Sequence, residues 1–265
     1  MTKINVIGDI HGRRNWKELV KEDAVNVFLG DYFDPYDRFT ADQLVENFLE
    51  IITFKEKHPE TVLLYGNHDH HYIVPAYGGS TSRYNSRMAK RFKELFSEFN
   101  GLFKGVAYAP DSKHLITHAG VTKDWLDKYL DTDDFTGIWL PDGSKVPATV
   151  EMERFVNGLW SDSKETEGHH EKCEFSFQEN CDIWDTYGDT PTQSPIWVRP
   201  NTLANYNAYK GTDVVQIVGH TQVERIADLS GEEKTKSGKT VRIGLVLTDC
   251  LGNTTESYSF NTEEI

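Results

Sequence analysis

Short apolar runs punctuated by glycine recur along the chain, and the stretches between them carry a helical period. Ile4-Asn5-Val6-Ile7 reads as a buried strand that passes into Gly8-Asp9-Ile10-His11-Gly12. Trp16, Leu19 and Val20, at i, i+3, i+4 spacing, predict a helix. Residues 24–29 predict a second strand ending at Gly30-Asp31-Tyr32-Phe33-Asp34. From about Thr40 to Lys57, Leu44, Phe48, Ile51 and Ile52 fall on one face of a long helix, with Thr40 and Gln43 as a capping-box start. Residues 61–65 predict a third strand, which runs into Gly66-Asn67-His68-Asp69.

Residues 70–82 read as an irregular loop, followed by a helix from about Arg83 to Phe99 with Met88, Phe92, Leu95 and Phe96 on its apolar face. Two strands, 103–108 and 114–117, flank the turn Pro110-Asp111-Ser112, and the second leads into His118-Ala119-Gly120. Between about 121 and 212 the pattern changes. Helices are expected around Trp125, Leu126 and Leu130 and from Val150 to Leu159, and polar, turn-rich residues 161–195 read as a long loop or cap. Strands return at 214–218, about 223–228, 240–248 and 254–260, with Ser230 to Lys239 as a charged hairpin tip; the first leads into Gly219-His220-Thr221. Alternating strands and helices predict an α/β protein, organised as one domain over residues 1–265 with an insertion at about 121–212.

Composition narrows the function. No apolar run reaches the roughly 18 residues that cross a bilayer, and Cys173, Cys181 and Cys250 make no even disulfide framework. The expectation is a cytoplasmic protein with no membrane partner. Net charge is −14, from 42 acids against 28 bases, which disfavours a phosphate-tracking nucleic-acid surface. Bound divalent cations would cancel part of that excess.

The candidate chemistry lies where the strands end. Five apolar runs each deliver an Asp, Asn or His immediately beyond the strand, where open α/β sheets bind ligands. A pair of divalent metals needs a bridging carboxylate, mixed oxygen and imidazole ligands, and open positions for water. Asp31 suits the bridge, Asp9 and His11 the first metal, and Asn67, His118 and His220 the second. With no thiolate among them, the donors suit manganese foremost, then iron, zinc or magnesium. Such metals make hydroxide available at neutral pH and polarise a phosphoryl oxygen. His68, beside Asn67, is placed to protonate a leaving oxygen, and Asp34 to fix its tautomer. Each residue alone has a plain alternative as a cap, turn or core group; the set together fits a two-metal phosphoesterase.

In these motifs the chain resembles the calcineurin-like metallophosphoesterase superfamily, and more narrowly its serine/threonine-protein-phosphatase-like branch. Asp-x-His is present as Gly8 to Gly12, Gly-Asp-x-x-Asp as Gly30 to Asp34, and Gly-Asn-His-Asp as Gly66 to Asp69, with His118-Ala119-Gly120 and Gly219-His220-Thr221 completing the set. Leu159-Trp160-Ser161-Asp162 also resembles a segment of that branch. The resemblance implies a four-layer α-β-β-α sandwich, two mixed sheets flanked by helices, acting on a phosphorylated substrate such as a phosphoprotein or small phosphomonoester.

The chain departs from the branch in two places. Pro35-Tyr36 follows the second motif where the branch has Arg-Gly, leaving Arg38, Arg13, Arg14 or, better, Arg199 to grip phosphate. Gln222 stands where many phosphodiesterase relatives carry a second histidine, which favours monoesters. The His118-Ala119-Gly120 form is similar to that of bacterial diadenosine tetraphosphatases, so a dinucleoside polyphosphate or other nucleotide is the alternative substrate, with a non-catalytic metal-binding scaffold behind both. His70 and His71 extend the third motif into the following loop, where they either touch substrate or stand exposed. His169, His170, Cys173 and Cys181 include a Cys-x7-Cys gap that departs from zinc-site spacing. Trp184, Tyr187, Trp197, Tyr206 and Tyr209 either line a cleft or pack under the long loop.

Overall fold

The computed structural model describes residues 1–74, 83–130, 137–165, 174–177, 189–234 and 238–263. His169, His170, Cys173, Cys181, Trp184 and Tyr187 lie outside them. Strands β1 (Lys3–Ile7), β2 (Val25–Phe28) and β3 (Val62–Leu63) run parallel, and β13 (Tyr258–Asn261) joins β1 antiparallel, giving the order β13-β1-β2-β3. A second sheet has β5 (His114–Thr117), β8 (Val215–Val218) and β12 (Leu245–Leu247) parallel at its centre. Its antiparallel edges are β4 (Ala107–Tyr108) and β9 (Ala227–Asp228).

Alternation along these strands sets the layers. Ile4, Val6, Val27, Leu29, Val62 and Leu64 of the first sheet share one buried cluster with Ile116, Ile217 and Val246 of the second, so the sheets face each other. The intervening residues point outward. Ile7, Phe28 and Leu63 meet Trp16 of α1 (Trp16–Leu19) and Phe48 and Ile51 of α2 (Ala41–Lys57). On the far side, Leu115 packs with Met152 and Val156 of α6 (Thr149–Glu165), and Val218, Leu245 and Leu247 with Leu203 of α7 (Pro200–Tyr206). The result is the expected sandwich of helices, two mixed sheets and helices. Among the described residues no helix is long and apolar enough to cross a membrane.

Several elements differ from what the sequence pattern predicts. The predicted loop at 70–82 begins as a helix, α3 (Asn67–Ile73), in which the Asp69 carboxylate accepts the Gly66 N–H at 2.8 Å and starts the first turn. The predicted helix at 83–99 is shorter, α4 (Ala89–Glu98), because the Asn85 side chain and carbonyl both take the Met88 N–H in a turn. Helix α6 continues through residues 161–165, where a loop is expected. The predicted strand 240–248 breaks at Gly244, where a Cβ would lie 2.4 Å from the Val214 carbonyl oxygen. Before the break, β11 (Thr240–Ile243) pairs with β10 (Gly231–Lys234); after it, β12 enters the second sheet. A hairpin of β6 (Gly137–Trp139) and β7 (Lys145–Pro147) is absent from the sequence reading, although Pro141-Asp142-Gly143 carries its turn chemistry.

Candidate metal centre

The parallel strands of both sheets end on one edge, and tight turns there bring their terminal side chains together. Four of the five described non-glycine residues with positive φ are in this cluster: His11 (45°), Asp31 (53°), Asp34 (55°) and His220 (64°). Backbone strain of this kind persists where surrounding bonds over-determine it. The turns after β1 and β2 are zipped together, with His11 N–H to Asp31 O at 2.6 Å and Gly12 N–H to Tyr32 O at 3.1 Å. Asp69 fastens the third turn to the second, accepting the N–H groups of Asp31 (2.7 Å), Tyr32 (3.0 Å) and Gly66 (2.8 Å). Burial still raises its pKa to about 7 against those three donors.

The strand-end glycines have a reason beyond turn geometry. A Cβ on Gly66 would stand 2.2 Å from Asp31 Oδ1, and one on Gly219 2.2 Å from Asp9 Oδ1. The backbone of one turn therefore lies against the carboxylate of another.

Asp31 is central. Its Oδ2 stands 3.5 Å from both His11 Nε2 and His118 Nε2, and its Oδ1 accepts the His68 N–H at 2.9 Å. Asp9 takes the His220 N–H on both oxygens, at 3.1 and 3.0 Å. Asn67 Oδ1 lies 2.9 Å from both His118 Nε2 and His220 Nδ1. His11 Nδ1 faces the Phe33 carbonyl at 3.0 Å and His118 Nδ1 the Leu29 carbonyl at 2.8 Å. Donating to those carbonyls leaves each Nε2 lone pair aimed at Asp31, the tautomer a metal ligand needs.

The electrostatics fit a divalent cation. Asp9, Asp31 and His118 place ligand atoms within 4.8 Å of one another, all buried. Burial, then Asp249, raises the pKa of Asp9 well above the carboxylate range; burial, then Asp9 and Asp69, does the same to Asp31. Burial likewise lowers His11 and His220 well below the usual histidine value, and His118 to about 3. Neutral imidazoles around two destabilised carboxylates make a donor set that a divalent ion would satisfy.

Beside this cluster, His68 Nδ1 meets Asp34 Oδ2 at 2.9 Å, the pairing expected from the sequence. A cleft of about 70 Å³ opens over His11, Asp31, Asn67, His68 and His220 and is walled by Tyr36, Trp197 and Arg199. Tyr36 stands edge-on to His11 at 4.9 Å and Trp197 edge-on to His220 at 5.9 Å. Arg199, the N-cap of α7, donates to the His220 carbonyl and Thr221 Oγ1 at 3.3 and 3.1 Å. A larger groove of about 940 Å³ runs over α1, α2 and α4, and none of the strand-end residues lines it.

Other expected substrate residues are placed elsewhere. His70, expected to reach toward substrate, is buried against Trp160 at 5.6 Å and does not line the cleft; its helical position turns it away from Asp34. Arg38 is exposed and also outside the cleft lining. Arg14 is exposed and pairs with Glu46 of α2. Arg13 is buried and engages Asp37 at 3.2 Å, and its charge partly offsets the burial that raises the pKa of Asp9 and Asp249. Tyr209 is a core residue donating to the Pro147 carbonyl at 2.8 Å, and Tyr206 is exposed. Sequence reasoning missed Asp249, buried beside Asp9 with its pKa raised to about 6 by burial. The same signal marks it, a carboxylate just beyond the apolar run of β12.

A model of the calcineurin-like phosphoesterase family matches residues 2–246. The chain belongs to that family. It is accordingly a hydrolase of phosphoric esters. Among solved structures, this phosphoesterase is similar to a protein serine/threonine phosphatase from Saccharomyces cerevisiae, itself described as similar to human phosphatase PP5. The identity is 19% and the TM-score 0.41, over 94% of this chain and 67% of that one. A search of curated proteins found no match.

Proposed function

We propose that this phosphoesterase hydrolyses phosphate monoesters at a two-metal centre. Asp9, His11 and Asp31 would hold one ion; Asp31, Asn67, His118 and His220 would hold the other. The observation that supports this reading is the position of Asp31 Oδ2, equidistant at 3.5 Å from a histidine of each group. The oxygen and nitrogen donors suit manganese, iron, zinc or magnesium. When bound, the ions supply Lewis-acid polarisation of the phosphoryl group and of the attacking water.

The chain's own groups account for the remaining work. Arg199 lines the cleft and presents a guanidinium suited to phosphate oxygens. His68 has Nδ1 engaged by Asp34, so Nε2 is the nitrogen that gives a proton to the leaving ester oxygen. Trp197 and Arg199 both come from the 121–212 region, which supports assigning substrate choice to that insertion within one phosphoesterase domain. The aromatic walls Tyr36 and Trp197 favour a second reading, a nucleotide or dinucleoside polyphosphate whose base packs on them.

Hydrolysis of p-nitrophenyl phosphate and of its bis ester, with added manganese, tests the proposal. Turnover of the monoester, lost with metal in Asp31→Asn and lost without metal loss in His68→Ala, is expected. Retained turnover in Asp31→Asn would refute the site, and preference for the bis ester would move the assignment to phosphodiesterase.

A further inference from the structure

Asp34 does not serve His68 alone. Its Oδ2 also lies 2.7 Å from His71 Nε2, and Tyr72 donates its hydroxyl to Oδ1. The Tyr72 oxygen in turn accepts the Asn85 N–H at 2.9 Å. Asp34 and His71 are each about 1% exposed, so water cannot replace these bonds. The arrangement comes from helix spacing. His71 and Tyr72 follow His68 by three and four residues on α3, which puts all three on the face toward Asp34. Tyr84 stacks on Tyr72 at 5.2 Å and meets His71 edge-on at 5.0 Å, while Phe92 closes over Tyr72 at 5.0 Å.

A carboxylate with one partner rotates about its Cβ–Cγ bond; one held on both oxygens, with a third polar group packed at 2.7 Å, does not. His68 Nδ1 and His71 Nε2 stand 2.9 and 2.7 Å from Oδ2 and the Tyr72 hydroxyl donates to Oδ1, so both carboxylate oxygens are confined before substrate arrives. We infer that His71, with Tyr72, is a positioning residue for proton donation. It locks Asp34 so that His68 Nδ1–H is held and Nε2 points at the leaving oxygen. This rests on the reading of His68 as proton donor. Asp34, His68 and His71 also place ligand atoms within 4.8 Å of one another, but His68 Nδ1 and the Tyr72 hydroxyl are already hydrogen-bonded to the two carboxylate oxygens.

Because the role concerns proton delivery, it is read from the leaving group. Phenyl phosphate needs a proton on departure; 2,4-dinitrophenyl phosphate does not. His71→Ala is expected to slow phenyl phosphate by about 10–100-fold, the effect of losing an outer-shell partner, and to leave the dinitrophenyl ester within a few-fold. His71→Gln, whose amide N–H reaches the place of Nε2, should restore most of the phenyl rate, and Tyr72→Phe should show a milder form of the same selectivity. His68→Ala, run alongside, should be selective to a greater degree, and metal content should not change in any variant. Equal losses on both esters in His71→Ala and Tyr72→Phe, with His68→Ala still selective, would overturn this inference alone. No selectivity in His68→Ala would overturn the proton-donor assignment and the inference with it.

Discussion

Gly66 separates the geometry of the centre from the stability of the fold. Its φ is −108°, a conformation open to any residue, so an alanine meets no backbone penalty. The obstacle is room. The new Cβ would stand 2.2 Å from Asp31 Oδ1 and 2.7 Å from His118 Cε1, whereas ordinary contact begins at 3.4 Å. Both neighbours are buried and bonded, His118 to the Leu29 carbonyl and Asp31 to the His68 N–H. One of them must move by about 1 Å, and misplacement of that size costs on the order of 100-fold in rate. The stability effect is smaller. Overpacking costs roughly 1–3 kcal/mol, partly offset by about 0.4–1 kcal/mol from the stiffer unfolded chain. A net loss of that order lowers Tm by no more than about 10 °C. Gly66→Ala should therefore remain folded at 25 °C, turn over p-nitrophenyl phosphate about 100-fold more slowly and retain less manganese after dialysis. Wild-type turnover and metal content in a folded Gly66→Ala protein would refute the placement of Asp31 against this turn.

Four further outcomes follow from the structure. Gly158 lies exposed inside α6, and a Cβ added there would meet nothing within 4 Å; Gly158→Ala should raise stability by about 0.5–1 kcal/mol, seen as a small rise in Tm with activity unchanged. Asp111 accepts the N–H groups of Lys113, His114 and Glu263 and faces His114 Nδ1 at 2.9 Å; burial raises its pKa, but these bonds outweigh it and hold the group below the usual carboxylate value. Its stabilisation is present above the unfolded value of about 3.9 and is lost as pH falls through the lower folded value, so the Tm gap between wild type and Asp111→Asn should close only below about pH 4. Manganese should raise the wild-type Tm progressively, by a stabilisation of about 2.7 kcal/mol at a hundred times its Kd, and not that of Asp31→Asn. Because burial raises the pKa of Asp9 and Asp31, protons compete with the ion and the manganese needed should increase as pH falls.

Much of the framework is legible in the sequence because it depends on local rules. Short apolar runs such as Ile4 to Ile7 and Leu115 to Thr117, bounded by glycine turns or turn residues, mark buried strands. The i, i+4 stripe of α2 and its Thr40–Gln43 capping box are written within a single turn or two, and the box forms as expected, with the Gln43 N–H to Thr40 Oγ1 at 3.2 Å. The strand-end residues Asp9, Asp31, Asn67, His118 and His220 are visible for the same reason. Parallel strands in one sheet all point the same way, so whatever follows each apolar run is delivered to one edge.

What remains needs the tertiary structure, because it depends on partners far apart in the chain. Nothing within residues 67–74 marks a helix; Asp69 makes one possible by accepting the N–H of Gly66 and that of Asp31, 38 residues before it. The separate duties of His68, His70 and His71 cannot be read from a run of histidines. A helix turns successive side chains by about 100°, so His68 and His71 reach Asp34 while His70 turns into the core against Trp160. Likewise Arg13, Arg14, Arg38 and Arg199 are all candidates for phosphate, and only the docking of α7 beside His220 brings Arg199 to the cleft while Arg38 is left in solvent. Sequence alone determined which residues reach the sheet edge, since strand direction and glycine turns are local properties; which of them meet, and in what orientation, is decided by contacts between segments dozens to hundreds of residues apart.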